Sequence, residues 1–429
     1  MKKLKAAVVG VGNRGTIYGD YSNQEPDELE IVALVDSNPF RLEQGAEKLH
    51  VKKENCFLSI DEFLSKNIKC DFVINATMDQ IHLETSIPLL EHGYNLLLEK
   101  PIVENEKKLK KIILTARKHN CQICVCHVLR YTPFYSTIKN LIDDGRIGEI
   151  ISLQLNEHVW NVHMVNSYVR GKWRNEKECG SPFLLAKCCH DIDLICWLNN
   201  KTTPEKVSSF GSRRMYCPEK APEGATEYCY QCPVKDTCLY NAAIFEAVKD
   251  WFPKYTWKNI NKPYKDITME EKLEYLKTDI MGKCVYKTDM DIVDRQCVSI
   301  EFANGSIATH NLVGGASKIN RHIHIVGEKG EIVGYLGENK ITLITTDFKT
   351  IDTKEEVIDL NIEHPDGDVH IDSHFGGDYG IMHNVCAFFR GDKVTSSLTK
   401  IEDSINSHLI CYYAEKARKT NKVLRIKKF

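Results

Sequence analysis

The chain has 429 residues, enough for two domains with sizeable cores at roughly 150 residues per domain. Its 57 Lys plus Arg nearly balance 59 Asp plus Glu, a formal net charge of −2, which argues against nucleic acid or another polyanion as partner. A start that runs straight into glycines is not a secretory signal, and no stretch approaches the roughly 18 apolar residues of a membrane span; a soluble cytoplasmic protein is expected, its 17 scattered cysteines reading as thiols rather than disulfides.

The first part alternates strand and helix signals. "KAAVVGVG", "LEIVALVD", "CDFVINAT", "YNLLLEKP" and "CQICVCHV" are short apolar runs, and helical patterns such as Leu83 to His92 and Glu106 to His119 separate them. Apolar residues that run on rather than alternate mark buried parallel strands, so residues 1–127 read as a doubly wound α/β Rossmann domain. Directly after the first strand, Gly10, Gly12 and Gly15 form GxGxxG, with Asn13 and Arg14 in the same turn. Such glycines permit a tight turn, close approach of a pyrophosphate and close helix packing. Asp36 ends the second strand, 36 − 15 = 21 residues past the last glycine, where a carboxylate accepts hydrogen bonds from an adenosine ribose and repels a 2′-phosphate. The expected cofactor is NAD; only Arg14 and Arg41 leave room for NADP.

Residues 128–429 read differently. A helix over Thr132 to Asp144 precedes the strand "GEIISLQLNEHVW", an apolar helix from Ser181 to Leu198 and the strand "EKVSSFGS". "RQCVSIEFANGSIATHNLVGG" and "RHIHIVGEKGEIVGYLG" each read as two strands across a turn, which implies an α+β domain with a large, mostly antiparallel open sheet. Asp378 to Arg390 and Leu398 to Thr420 are helical by period, and the chain's end is expected to pack back on the first domain. A cysteine-rich insert at about 215–242 supplies Cys217, Cys229, Cys232 and Cys238, which could complete a tetrahedral structural zinc site.

The apolar helix is interrupted by Lys187, His190, Asp191 and Asp193. Residues three or four apart share a face, so Lys187, His190, Asp191 and Leu194 form one stripe, with His190 placed to point out of the core. Lys100, biased to extended backbone by Pro101 at a strand's carboxyl end, opens onto the crevice where a nicotinamide would lie. Arg130, Tyr131, His158, His163, Arg170, Trp173, Arg174, His374 and Asp378 are further polar and aromatic candidates for a substrate site, possessing stacking faces and hydrogen-bond donors.

The "LLLEKP" motif, behind the glycine turn and "NAT" at Asn75 to Thr77, resembles the glucose-fructose oxidoreductase and inositol dehydrogenase (Gfo/Idh/MocA) family. "HVLRYTPFY", "GRIGEI", the histidine helix and "HFGGDYG" extend the similarity along nearly the whole chain, while "VRGKWRN" and "AKCCHDID" look like a branch of unassigned bacterial sugar oxidoreductases. The resemblance implies NAD(P)-dependent oxidation of sugars, polyols or their derivatives, and homo-oligomers, dimer or tetramer, built on the open sheet. It also implies cofactor contacts from Thr77, His82, Glu99 and Lys100, and a histidine at 190 acting on the substrate hydroxyl. Relatives carry an aspartate four residues before that histidine; here the position is Ala186, and Lys187 stands beside it. A dehydrogenase of a sugar, cyclitol or glycoside is the leading expectation. An NAD-requiring glycoside-cleaving enzyme, using Lys187 as second base, and a non-catalytic NAD sensor are the alternatives.

Overall fold

The structure is a computed structural model that describes residues 2–361 and 374–429. Six parallel strands open it: β1 (Leu4–Val9), β2 (Leu29–Val35), β3 (Cys56–Phe57), β4 (Phe72–Asn75), β5 (Leu96–Leu98) and β6 (Ile123–Val125), in the order β3-β2-β1-β4-β5-β6. Every residue of β4, β5 and β6 is buried, as strands covered on both faces must be. Helices α1 (Asn13–Gly19), α2 (Pro39–Lys48), α3 (His82–Glu91) and α4 (Glu106–Lys118) link these strands. Asn38 and Asn105 cap α2 and α4 by accepting first-turn N–H bonds, and Glu106, Lys107, Lys110 and Lys111 lie on the solvated face of α4, whose Leu109, Ile112 and Ile113 are buried.

The second sheet has nine strands, in the order β14-β13-β12-β11-β7-β10-β9-β8-β15. They are β7 (Ile150–Trp160), β8 (Pro204–Ser212), β9 (Arg295–Phe302), β10 (Ile307–Ala316), β11 (Asn320–Gly327), β12 (Gly330–Tyr335), β13 (Lys340–Thr346), β14 (Thr353–Asp359) and β15 (Leu424–Arg425). The β7–β10 pair is parallel and every other pair antiparallel. The two expected hairpins form as β9–β10 and β11–β12; β13 and β14 widen the sheet beyond them. Burial alternates along β9, β10 and β11, so one face is covered and the other open.

Helix α6 (Phe183–Leu198) covers that inner face together with α8 (Ile405–Thr420), while α5 (Pro133–Asp143) begins at a Thr132 cap. The return to the first domain is made chiefly by α7 (Gly377–Arg390), whose Ile381, Met382, Val385 and Cys386 join the same core as β1 and β2. Helix α8 instead lies on α6 and β8 and reaches the first domain through Tyr412, whose hydroxyl donates to Val103 O at 2.6 Å. Among the described residues no helix is long and apolar enough to cross a membrane.

Helix α6 is buried nearly all round, including His190, Asp191 and Asp193. Its acids are therefore partnered, and by different elements. Asp193 takes a two-pronged bond from Arg130, 2.6 Å on each arm, and Asp191 accepts from Arg321 of β11 at 2.8 Å. Burial pushes the Asp193 pKa up, with Arg130 opposing; for Asp191 the Arg321 charge outweighs burial and holds it down. Removing one partner of such a pair leaves an uncompensated buried charge. Arg130→Met is expected to lower unfolding free energy by about 3–5 kcal/mol in urea titrations, and Arg130→Met with Asp193→Leu to recover most of it. Equal loss in both variants would contradict this account of the pair.

Candidate active site

The strand ends Val9, Val35, Asn75, Leu98 and Val125 open on one edge of the first sheet. There the chain turns into α1 through the three glycines. Gly10 has φ +89°, and a Cβ on it would lie 2.6 Å from Ala76 O; a Cβ on Gly15 would lie 2.1 Å from Gly10 O. A Cβ on Gly12 would meet nothing within 4 Å. Two glycines thus serve the protein's own packing, and the middle one leaves open space where backbone amides can approach a phosphate. Thr77 lies against this turn, its hydroxyl bonded to Asn75 Oδ1 at 2.8 Å, and Asn13 accepts from Lys254 at 3.2 Å. Asp36 accepts from Val11 N at 2.9 Å and is clasped by Arg41, whose Nη2 is 2.7 Å from Oδ1.

Three residues expected at the cofactor are tied into the protein instead. Arg14 donates to Glu99 at 3.0 Å, to the Tyr18 hydroxyl at 2.6 Å and to both Asp378 oxygens. Tyr18 in turn donates to Glu99 at 2.7 Å. This knot joins α1, the end of β5 and α7. Burial works against the Glu99 carboxylate, but Arg14 and Lys100 outweigh it and hold its pKa below the ordinary value. His82 is fully buried, its ring nitrogens 2.7 Å from Pro101 O and 3.0 Å from Thr77 O, so it braces two loops rather than facing a ligand.

Lys100 projects from the end of β5 across the cleft and donates to the carbonyl of Ala186 on α6 at 2.8 Å. Burial opposes its charge, yet Cys189, Glu99 and Asp79 act the other way and the net pKa lies above the ordinary lysine value. One turn further along α6, His190 is 6 % exposed; its Nδ1 is buried without a partner. Burial first, then Lys100, His127, His374 and Arg321, push the His190 pKa well below the ordinary value, so the ring is neutral. It stands in a row of four imidazoles. Ring centroids are 6.2 Å from His374 to His190, 5.7 Å from His190 to His127, and 5.9 Å from His127 to His408. His163 belongs to the same site: burial lowers its pKa, with Lys187, Arg321, Lys100 and His374 as the neighbouring charges.

Lys187 does not stand free beside His190. Its ammonium pairs at 3.2 Å with Glu157, a fully buried carboxylate of β7 that also meets Arg321 at 2.7 Å. The expected stripe therefore divides: His190 faces the cleft, Asp191 turns to Arg321, and Lys187 caps the same charge cluster. Cys188, Asp191 and His310 bring ligand-type atoms within 4.8 Å of one another, but Arg321 already holds Asp191 and its charge opposes a cation there.

Several expected substrate residues have other duties. Arg130 holds Asp193, and Tyr131 is buried with its hydroxyl accepting from Thr399 N at 3.2 Å. Arg170 is fully buried on Glu246, Tyr240 O and Lys283 O, anchoring the insert, which spans the whole β8–β9 connection, residues 213–294, rather than ending near 242. Arg174 bonds Asp289 at 2.7 Å. His158 lies one residue from Glu157 on β7 and so points to the open sheet face, alongside Asn156 and its neighbour His322. Asp378 is taken by Arg14, while His374 bonds it at 3.2 Å and keeps its ring toward His190.

Trp173 does line the cleft. Its indole donates to Asp79 at 3.1 Å, stacks on Tyr168 and faces Tyr255 of the insert. Lys172, which sequence reasoning passed over, lies 4.3 Å from the Trp173 ring centre, and burial pulls its pKa down to about 8. Phe252 packs on His163, and Trp251 on Trp160. The insert thus roofs the cleft, reaching from these aromatics to Lys254 at the glycine turn.

The family model described as "Oxidoreductase family, NAD-binding Rossmann fold" matches residues 4–127, and its partner, "Oxidoreductase family, C-terminal alpha/beta domain", matches residues 139–410. The putative oxidoreductase YteT of Bacillus subtilis is 25% identical over 313 residues, 71% of this chain and 69% of that protein. Inositol 2-dehydrogenase of Corynebacterium glutamicum is 26% identical over 202 residues, 46% of this chain and 54% of that one. Among solved structures, levoglucosan dehydrogenase in complex with NADH and levoglucosan superposes with TM-score 0.71 at 16% identity over 100% of both chains. The WlbA dehydrogenase from Bordetella pertussis, in complex with NADH and UDP-GlcNAcA, does so with TM-score 0.67 at 16% identity over 100% and 99%.

Buried neutral histidines give stability a pH dependence. Burial lowers His408 to about 3 and His310 to about 4, whereas both protonate near 6.5 when unfolded. Below about 6.5 the unfolded chain binds protons that the folded one refuses, so stability falls with pH, by up to about 1.4 kcal/mol per pH unit per histidine, until the folded values are reached. His310 has no hydrogen-bond partner on either nitrogen. His310→Leu is expected to flatten the decline between pH 6.5 and 5 in urea titrations; an unchanged slope would show that His310 titrates alike in both states.

Proposed function

Since the chain belongs to the Gfo/Idh/MocA oxidoreductase family, we propose that it is an NAD-dependent dehydrogenase or reductase acting on a ring hydroxyl or ketone of a sugar, cyclitol or glycoside. The observation that carries this reading is the meeting of Lys100 and His190: a charged lysine fixed on the Ala186 carbonyl, and a neutral imidazole one turn later. When bound, the nicotinamide supplies the hydride acceptor or donor. His190, neutral, takes the hydroxyl proton during oxidation and returns it during reduction. The Lys100 ammonium donates to the same oxygen and stabilises negative charge as it develops.

Gly10, Gly12 and Gly15, with Asn13 and Thr77, hold the dinucleotide in this reading, and Asp36 takes the adenosine ribose. NAD is favoured over NADP because Arg41 is committed to Asp36 and Arg14 to Glu99 and Asp378, so neither is free for a 2′-phosphate. His163, Trp173 and His374 line the substrate side. Lys187 shapes the floor through Glu157 rather than moving protons. A second reading, NAD-requiring cleavage of a glycoside with no net redox change, needs a further base, and Lys172, lying against the Trp173 ring with its pKa pulled down to about 8 by burial, is placed to serve in its deprotonated fraction.

Incubating the protein with NAD and a panel of sugars, cyclitols and aryl glycosides separates these. NADH formed in proportion to sugar consumed is the expected result. Aglycone release without net NADH would replace it with the cleavage reading, and NAD binding with no turnover across the panel would leave a sensor. His190→Ala and Lys100→Met are each expected to lower kcat by about 10²–10⁴ while NAD affinity changes little. Gly12→Ala is expected to weaken NAD binding about tenfold or more with an unchanged melting temperature, since its methyl meets only the space reserved for phosphate.

A further inference from the structure

The segment between β8 and β9 is long and poor in regular structure, made of turns and single helical turns. Its own core is small, centred on Trp257, Ile267, Leu276 and Met281. Tyr216, Tyr240, Phe245 and Val285 join the main core of the second domain, so the part outside it rests on that small cluster, and a unit with so small a core of its own generally gains from a staple. Disulfides are not that staple, because Cys217, Cys229, Cys232, Cys238 and Cys284 are all free.

Four of these thiols surround one cavity of about 10 Å³: Cys229, Cys232, Cys238 and Cys284. The backbone brings them there. Cys229 and Cys232 bracket one turn, with Cys232 N donating to Cys229 O at 3.1 Å. Cys284 comes from more than fifty residues away through a two-strand contact: Tyr228 pairs with Lys283, and Cys284 N donates to Glu227 O at 2.8 Å. Cys217 takes no part. Its thiol donates to Arg214 O at 3.3 Å, and it does not line the cavity.

We propose that Cys229, Cys232, Cys238 and Cys284 bind one thiophilic divalent ion of the zinc type, which fixes the insert as the roof of the cleft. The cavity has room for about one water-sized guest, which suits a single ion rather than an iron–sulfur cluster. No three of the four sulfurs lie within 4.8 Å of one another, so binding draws them inward to the roughly 2.3 Å zinc–sulfur distance. Four thiolates around a divalent ion carry net negative charge, and cations are at hand: Arg170 Nη2 lies 3.6 Å from Cys229 Sγ, and Lys235 lines the cavity. A four-thiolate shell leaves no open position, so the ion is structural. This proposal is independent of the redox reading.

Metal analysis of the full chain, purified without chelator, tests it. About one zinc per chain is expected, with four thiols shielded from a thiol reagent until a strong chelator is added. Cys232→Ser and Cys284→Ser are each expected to lose the metal, and Cys217→Ser to keep it. If the first two variants do not fold, release of about one equivalent of zinc from the wild-type protein by an organomercurial thiol reagent, read with a coloured chelator, decides the matter. Less than roughly a tenth of an equivalent after zinc has been supplied, with all thiols reactive, overturns the site. Iron with acid-labile sulfide overturns the single ion. Metal lost from Cys217→Ser but kept in Cys284→Ser overturns the ligand set.

Discussion

A helix buried on nearly every side cannot leave a charge unpaired, and α6 carries Lys187, Asp191 and Asp193 besides His190. Each charge therefore recruits a partner from a different part of the chain. Asp193 fixes Arg130 at the junction of the two domains, and Asp191 fixes Arg321 on β11. Lys187 and Arg321 together satisfy Glu157 on the central strand β7. The carbonyl of Ala186, also on this helix, receives Lys100 from the first domain. These pairs fix the rotation of α6 relative to both sheets, and that rotation aims His190 into the cleft. A helix merely amphipathic would have been free to slide on a greasy face; one locked by directional bonds at several points along its length is not.

A second set of charges performs the same service for the first domain. Arg14 lies directly in the glycine turn, where sequence reasoning gives it to the cofactor, but it is spent on Glu99, Tyr18 and Asp378. The chain's late helix α7 is thereby bonded to the lip of the dinucleotide turn, and His374 follows Asp378 into the site. The result couples the placement of an imidazole from the C-terminal part to the same guanidinium that shapes the turn. It also explains why an arginine beside a phosphate cradle need not read a phosphate: four of its five donors are already taken by two buried carboxylates and a hydroxyl.

What could be read from the sequence is what is local. The glycine spacing, the acid at 36, the period-two hairpins and most helix bounds depend on neighbours within a turn or a strand pair, and they stand close to their expected places; the helix expected from Leu398 begins only at Ile405, after a tight turn over Ile401–Ser404. Helix α4, for example, ends within a residue of its expected end. Partners distant in the chain could not be read. Arg130, Tyr131, Arg170 and Arg174 look like sugar ligands because an isolated arginine or tyrosine does; the acids and amides that occupy them lie 63 to more than 260 residues away. His158 and Glu157 show a sharper limit. The two are adjacent, the strand's period sends them to opposite faces, and only the position of α6 decides which face is the site. The signal was present in the alternation of Leu153, Leu155 and Val159, which share the inward parity of Glu157. Distance in the chain likewise separates Cys284 from Cys229, Cys232 and Cys238, with which it lines one cavity, while the nearer Cys217 does not line it.

Ala186 gives the site its particular character. A carboxylate at that position would hold a proton on a neighbouring imidazole; an alanine cannot, and the charges that surround His190, led by Lys100, are positive. Its inner nitrogen finds no acceptor, and the next ring, His127, is itself fully buried with neither nitrogen bonded and its pKa pushed down by burial and by Arg130. An imidazolium at 190 is therefore a high-energy species here. In the reading proposed above, this keeps the resting ring neutral and open to a hydroxyl proton, which it then holds only weakly and passes on readily. Lys100 is the group that carries a proton at the site: held charged by Glu99 and Asp79 and anchored on a main-chain carbonyl, it has its remaining protons for another oxygen. The side chain missing at 186 thus leaves a neutral imidazole at 190 and the proton on Lys100.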